Sequence, residues 1–410
     1  MRLERGIRFL LIVTGLGGGV ALPAQAPLDS AARRFRFAEM TLGLDVGSIP
    51  AGQTAIGDGL PSRFVPRFTI GGLHFWGHAD FAVTIPLSRG TVGSGASKTS
   101  STGGVETRGR WYVKPLARDG ISPFIGGGLG AVDVTIGDGP REYRPVPMGQ
   151  AGLAWRRGGT LFEAGWSLRP QSVLDYPTSR TTTSRVTPSQ HAVWIGAYRI
   201  LETTGSLEPI VRSGAAAAAE TRMRAAGQLS GPSFAIGPSS LILTGPSNYN
   251  REQRPWLATR PRSGTALDLG LGWYFDRPDV HLNLAWRTGS FDTDAFGFEQ
   301  ENRRSSLAFE AYKFLWDYHG FVPFVGPVVS LEQLRTVERD AGVSVARGEE
   351  EFVSGGITFG WDIRPTRTQQ WILRTNLRYF PRLRVPMPSG EQALDQLEFN
   401  YIQFVWYPRR

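Results

Sequence analysis

Cysteine is absent from all 410 residues, which excludes a disulfide framework and any thiolate metal site. Histidine is nearly as scarce: His74, His78, His191, His281 and His319 are the whole set. None of them forms His-x-x-x-His or His-Glu-x-x-His, the spacings that a zinc hydrolase needs. Beyond the extreme N-terminus no apolar run reaches the roughly 18 residues of a membrane-spanning helix. If the chain enters a membrane it must do so as a closed β-barrel, the other structure that pairs every backbone group in lipid.

What is abundant points the same way. Glycine contributes 51 residues and aromatics 11% of the chain, a composition that suits many strands and turns better than helical layers. Residues 1–26 have the parts of a secretory signal: Arg2, Arg5 and Arg8, an apolar run from Phe9 to Leu22, and Ala24-Gln25-Ala26 as the cleavage site. Removing that segment takes away three Arg and one Glu, so the formal charge falls from +9 to +7. The remaining arginines are scattered through strands and loops rather than clustered on a helix, so no nucleic-acid partner is expected.

The stretch from Trp111 to Ala131 reads as the end of one strand, a turn and the start of the next. It recurs. Tyr112, Gly120, Pro123, Phe124 and Gly126 are echoed by Tyr312, Gly320, Pro323, Phe324 and Gly326 at one constant offset, the mark of two copies of one multi-strand unit. The pattern of Tyr, a turn, Gly-x-x-Pro-Phe and alternate glycines resembles the central hairpin of small bacterial outer-membrane barrels of the OmpA, OmpX and OmpW kind. That resemblance implies an eight-stranded barrel in the outer membrane, repeated, with lipid and lipopolysaccharide around it. It carries no catalytic residue to transfer.

Period-two alternation predicts strands over 35–47, 64–76, 79–87, 105–115, 122–136, 147–156, 160–168 and 190–201. A second set follows over 265–275, 280–287, 305–314, 321–337, 351–362, 371–380 and 397–407, with a doubtful first member at 233–243 interrupted by Pro232 and Pro238. Short turns alternate with long polar loops, as in barrels with periplasmic turns and external loops. Trp111, Tyr112, Phe124, Trp155, Phe162, Tyr198, Tyr274, Phe275, Phe324, Trp361 and Trp371 gather toward the short turns or strand ends, together with Phe75, Trp76 and Trp316, and are expected to form an interfacial girdle. The domain reading is a signal peptide at 1–26, a first barrel repeat at 27–201, a periplasmic linker with a short helix capped by Ser213 at 202–228, and a second repeat at 229–410. The final Phe404-Val405-Trp406-Tyr407 resembles the signal read by the barrel-assembly machinery, although Pro408-Arg409-Arg410 extends past it.

Two sequence features could carry chemistry. Gly126-Gly127-Gly128-Leu129-Gly130-Ala131 formally matches a dinucleotide fingerprint, but no helix follows to receive a pyrophosphate, so small residues between crowded strands are the better reading. Outer-membrane lipid A deacylases share His-x-Ser on a strand, and no histidine here is followed that way. No enzyme and no cofactor is expected. Alternation places Glu39, Asp45, Arg108, Arg110, Lys114, Glu163 and Arg169 on the lumen face of the first repeat. In the second it places Asp268, His281, Asn283, Arg287, Glu310, Asp362, Arg374, Asn376 and Arg378 there. Of these, Arg110, Glu163, Arg169, Glu310, Arg374 and Arg378 are the candidate lining residues. Two arrangements would satisfy such charges: a packed interior braced by ion pairs, or a wet pore walled by arginine. The first expectation is one barrel of about sixteen strands acting as a porin-like channel for small polar or anionic solutes, since that many strands leave an aqueous lumen. The alternative is two tandem eight-stranded barrels with a non-conducting structural, anchoring or adhesion role.

Overall fold

The computed structural model describes residues 39–48, 52–54, 64–74, 77–95, 98–101, 104–116, 119–202, 215–245, 247–258, 264–315, 321–364 and 367–410. The proposed signal segment, Ser213, Phe75, Trp76 and Trp316 lie outside the described residues.

Eight strands form the ring of the first half, with short strands in its loops besides: β1 (Glu39–Ser48), β2 (Phe64–His74), β3 (Ala79–Pro86), β4 (Glu106–Tyr112), β5 (Gly120–Ile136), β6 (Glu142–Arg157), β7 (Thr160–Leu168) and β8 (His191–Glu202). Each pairs antiparallel with the next, and β8 returns to β1 with Leu44 opposite Ala197, which closes the ring. The second half repeats the plan with β9 (Gly231–Leu243), β10 (Gly264–Phe275), β11 (Val280–Ala295), β12 (Phe298–Phe314), β13 (Phe321–Asp340), β14 (Val343–Ile363), β15 (Trp371–Phe380) and β16 (Gln396–Trp406). Here β16 returns to β9.

The all-β architecture of two eight-stranded units therefore stands, but closure into one sixteen-stranded barrel is corrected. β8 lies between β1 and β7, and β9 between β10 and β16, so neither has a free edge to offer the other. Each half holds an even number of strands with its apolar residues on one parity, so closing on itself leaves no unpaired backbone in lipid. The doubtful strand at 233–243 forms in full. Pro238 falls inside the register shift between β9 and β16, where β16 has no residue in register with it, and Pro232 stands at the strand's beginning.

Outward residues are apolar and exposed: Leu44, Phe81, Ile125, Leu153, Phe162 and Ile195 on the first barrel, Leu271, Leu284, Trp286, Phe309, Leu331 and Phe404 on the second. The girdle expectation divides by parity. Trp111, Trp155, Phe162, Phe275 and Trp371 do face outward, Trp371 stacking on Trp406 at 5.6 Å. Tyr112, Phe124, Tyr198, Tyr274 and Phe324 are buried on the inner face instead, because each sits one position away from its outward neighbour and the strand period sends it inside.

Strands β11 to β14 run 16, 17, 20 and 21 residues, well beyond the roughly 9–11 that cross a bilayer. The excess projects as two hairpins from the end opposite the short turns. Helix α1 (Ala215–Ala225) packs at the short-turn end, where Arg224 donates to Asp276 at 2.7 Å and to Glu220 at 2.9 Å. The two barrels touch at the long-strand end: Arg180 donates to Asp340 at 2.6 Å, and the Phe296 amide donates to the Asp138 carbonyl at 2.8 Å.

The barrel interiors as the candidate functional site

In the first barrel, alternation from apolar outward positions forces charged residues inward, where they meet one another. Arg110 on β4 donates to Glu163 on β7 at 2.7 Å and to Asp80 on β3 at 2.9 Å. Because β4 and β7 are three strands apart around the ring, the Arg110–Glu163 bond spans the lumen. Glu163 also accepts from Arg108 at 3.5 Å and from the Tyr112 hydroxyl at 3.3 Å. Arg169 reaches Glu106 at 2.5 Å, Arg67 bonds Asp45 and lies 3.2 Å from Glu106, and Arg156 bonds Glu39 at 2.9 Å.

The second interior is built alike. Arg378 lies 2.7 Å from both Glu310 and Asp268; Arg287 pairs with Glu310 and sits 3.4 Å from Asp268. Arg374 donates to Asp362 at 2.6 Å, and Arg304 donates to Glu332 at 2.7 Å and also to Glu398. Asn283 donates to Glu310 at 2.9 Å, with Tyr312 bonded to the same carboxylate. Glu310, Arg374 and Arg378 are 0%, 1% and 0% exposed, so each depends on an opposite charge at close range to offset its burial.

The repeated motif supplies the apolar floor for these cations. Tyr112 and Tyr312 occupy the fourth strand of their barrels, Phe124 and Phe324 the fifth. The Arg110 guanidinium lies 4.7 Å from the Phe124 ring centre, and that of Arg374 lies 5.0 Å from Tyr312 and 5.4 Å from Phe324. Gly126 and Gly326 are needed for close approach: a Cβ there would stand 2.3 Å from the Gly109 carbonyl oxygen and 1.6 Å from that of Ala311. The glycine run at 126–130 thus continues as strand within β5 rather than opening a helix.

Both mouths of the second barrel are filled. At the long-strand end helix α2 (Asn248–Gln253) and a small hairpin of Arg384–Met387 with Gly390–Ala393 lay Tyr249, Leu383, Val385 and Leu394 against Leu241, Leu334 and Phe380. Gln300 joins Asn250, Gln392 and Glu338 by hydrogen bonds of 3.0 Å. At the opposite end Arg364 lies 4.4 Å from the Phe314 ring centre and Arg410 lies 3.7 Å from that of Tyr407.

All six candidate residues are buried on inner faces. Arg110 and Glu163 come together in one barrel and Arg378 and Glu310 in the other, whereas Arg169 is taken by Glu106 and Arg374 by Asp362. Lys114 is corrected: β4 ends at Tyr112 and Lys114 is exposed beyond it. The partners Arg67, Asp80, Glu106, Arg304, Glu332 and Glu398 were not singled out from sequence. For Glu398 the flanking Leu397 and Phe399 gave a usable parity signal, but around Arg304 both faces are polar and parity says nothing.

One pair invites a catalytic reading. Ser233 Oγ lies 2.6 Å from His281 Nε2, yet Arg374 rather than a carboxylate faces the other ring nitrogen, at 3.5 Å. A cation there opposes the imidazolium that a nucleophilic triad must form. Among the described residues no cluster of three or more metal-ligating side chains occurs.

A closed antiparallel ring with an apolar outer belt and a polar, ion-paired interior is the architecture of outer-membrane proteins. The chain is a transmembrane β-barrel protein of that type. No protein-family model and no curated protein sequence matches it. Among solved structures it is similar to Neisserial surface protein A, at 11% identity and TM-score 0.27, over 44% of this chain and 97% of that one. It is also similar to an outer-membrane channel from Pseudomonas putida F1, at 10% identity and TM-score 0.22, over 95% of this chain and 99% of that one. A third is the CymD monoaromatic hydrocarbon channel, at 9% identity and TM-score 0.19, over 97% and 96%. The barrel assignment rests on this chain's own closed ladders and apolar belts, not on scores of that size.

Proposed function

We propose that the chain is a non-conducting, non-enzymatic outer-membrane protein whose paired barrels serve an anchoring or envelope-structural role and carry the projecting hairpins β11–β12 and β13–β14. The observation that supports this most is the pair of lumen-spanning bridges, Arg110–Glu163 and Arg378–Glu310, buried in rings of only eight strands. Rings of that size have interiors just wide enough for side chains to fill. A porin would need the wider lumen of a single sixteen-stranded ring, and a hydrolase would need a serine open to its substrate. In the same reading β16, ending Phe404-Val405-Trp406, is the segment offered to the assembly machinery.

The test is the full chain in planar lipid bilayers. Insertion without unitary conductance steps is expected. Stable, reproducible steps would restore the channel reading.

A further inference from the structure

The outer face of the projecting hairpins bears an arrangement that the anchoring role does not use. On β12 and β13, Arg303 stands directly opposite Arg335, and Glu299 opposite Arg339; on β13 and β14, Val337 stands opposite Arg347. Like charges directly across a ladder destabilise it unless an anion lies between them. The available carboxylates are partly committed: Glu301 bonds Arg303 and lies 3.2 Å from Arg339, and Glu349, which faces Arg335 in register, lies 2.5 Å from Arg347. Arg335 makes no ion pair among the described residues, and its Nε is closed off from solvent without a hydrogen-bond partner. Glu301, Arg303, Arg335, Val337 and Arg339 line a cleft of about 50 Å³, room for more than one water-sized group.

The cleft stands just beyond the apolar belt. Below it along the same strands come Ser305 opposite Gln333, then Leu307 opposite Leu331, the exposed edge of the apolar belt. The arginine pair is thus two outward steps beyond the lipid belt, about 13 Å along the strands. Long side chains at that level reach back toward the headgroup layer, and guanidinium forks match phosphate oxygens in pairs.

We propose that the cleft between Arg303, Arg335 and Arg339 binds a phosphate group of an outer-leaflet glycolipid of the lipopolysaccharide type, seated against Val337. This rests on the outer-membrane reading above, but not on whether the barrels conduct.

The experiment uses the purified full chain in detergent, with bisphosphorylated lipid A, the same glycolipid without phosphates, and inorganic phosphate as probes, read by native mass spectrometry. Heat-modifiable gel migration confirms folding independently of binding. The folded wild type should retain the bisphosphorylated lipid. Removing either the lipid phosphates or the cations, by R303E with R335E, should weaken retention about tenfold or more, as expected for lost charge-assisted bonds. R157E, at the opposite rim, should leave retention unchanged. If the double variant does not fold, R335Q alone is scored in the same way. Equal retention by the folded variant, equal retention of the dephosphorylated lipid, or saturation by inorganic phosphate with no lipid bound would each overturn the proposal.

Discussion

Arg378 on β15 stands 2.7 Å from Glu310 on β12, three strands away around the ring, so this ion pair ties opposite walls of the barrel together. Asp268, Arg287 and Glu398 crowd the same layer, Arg287 lying 3.7 Å from Glu398. The inner face of the second barrel therefore carries charges of both signs at close range.

Removing one member should be far worse than removing both. Glu310→Gln or Arg378→Met leaves a buried charge unpaired, which costs about 3–5 kcal/mol. The double replacement E310Q/R378M should recover part of that loss. Denaturant unfolding in detergent, followed by heat-modifiable migration, measures it; single variants as stable as the parent would show that water fills the lumen.

Gly126 and Gly326 should tolerate no side chain. A Cβ at Gly326 would lie 1.6 Å from the Ala311 carbonyl oxygen, and one at Gly126 would lie 2.3 Å from that of Gly109. Alanine at either position must push neighbouring strands apart, at an expected cost of about 1–3 kcal/mol. Gly355, which has open space where its Cβ would be, is the control. G326A and G355A unfolding at the same denaturant concentration would contradict this account of the repeated glycine.

Strand identity, facing and the ring-forming repeats were legible because membrane strands carry a two-residue code: Leu282, Leu284 and Trp286 outward, Asn283 and Arg287 inward. Closure was not legible, since parity is the same whether β8 meets β1 or β9. Nor were the upper halves of β11, β12 and β14. There the outward face turns polar, so Asp292, Asp294, Glu299 and Glu301 look like loop, although Phe291, Ala295 and Phe298 are buried between them. The bracing pairs were half legible: parity sent Arg110, Glu163, Glu310 and Arg378 inward, while choosing partners needed the ring.

Packing also sharpens the labelling expected at neighbouring positions. Leu282→Cys faces lipid and should react with a membrane-soluble thiol reagent. Asn283→Cys, buried beside Glu310, should resist both that reagent and a water-soluble one until the protein unfolds. Rapid reaction of N283C with the water-soluble reagent would reveal an aqueous lumen.

The contact between the barrels should respond to acid. The hydrogen bond from Arg180 holds the Asp340 carboxyl below the usual carboxylate range. A depressed folded value means that the contact is at full strength above the unfolded pKa, about 3.9, and is lost as pH falls through the folded value. Carboxyl NMR should find Asp340 titrating below ordinary aspartates, and R180A should raise its midpoint. Identical midpoints in both proteins would remove the contact.

The central claim is that each half closes on itself, and the absence of native cysteine allows a direct test. Leu44→Cys and Ala197→Cys face each other across the β1–β8 seam, at a spacing that antiparallel partners share with disulfides. Ile195→Cys and Ile236→Cys would be neighbours only if β8 met β9. In oxidised membranes carrying the full chain, the 44/197 pair should crosslink and the 195/236 pair should not. Crosslinking of 195/236 without 44/197 would contradict the two-barrel account and reinstate a single large ring.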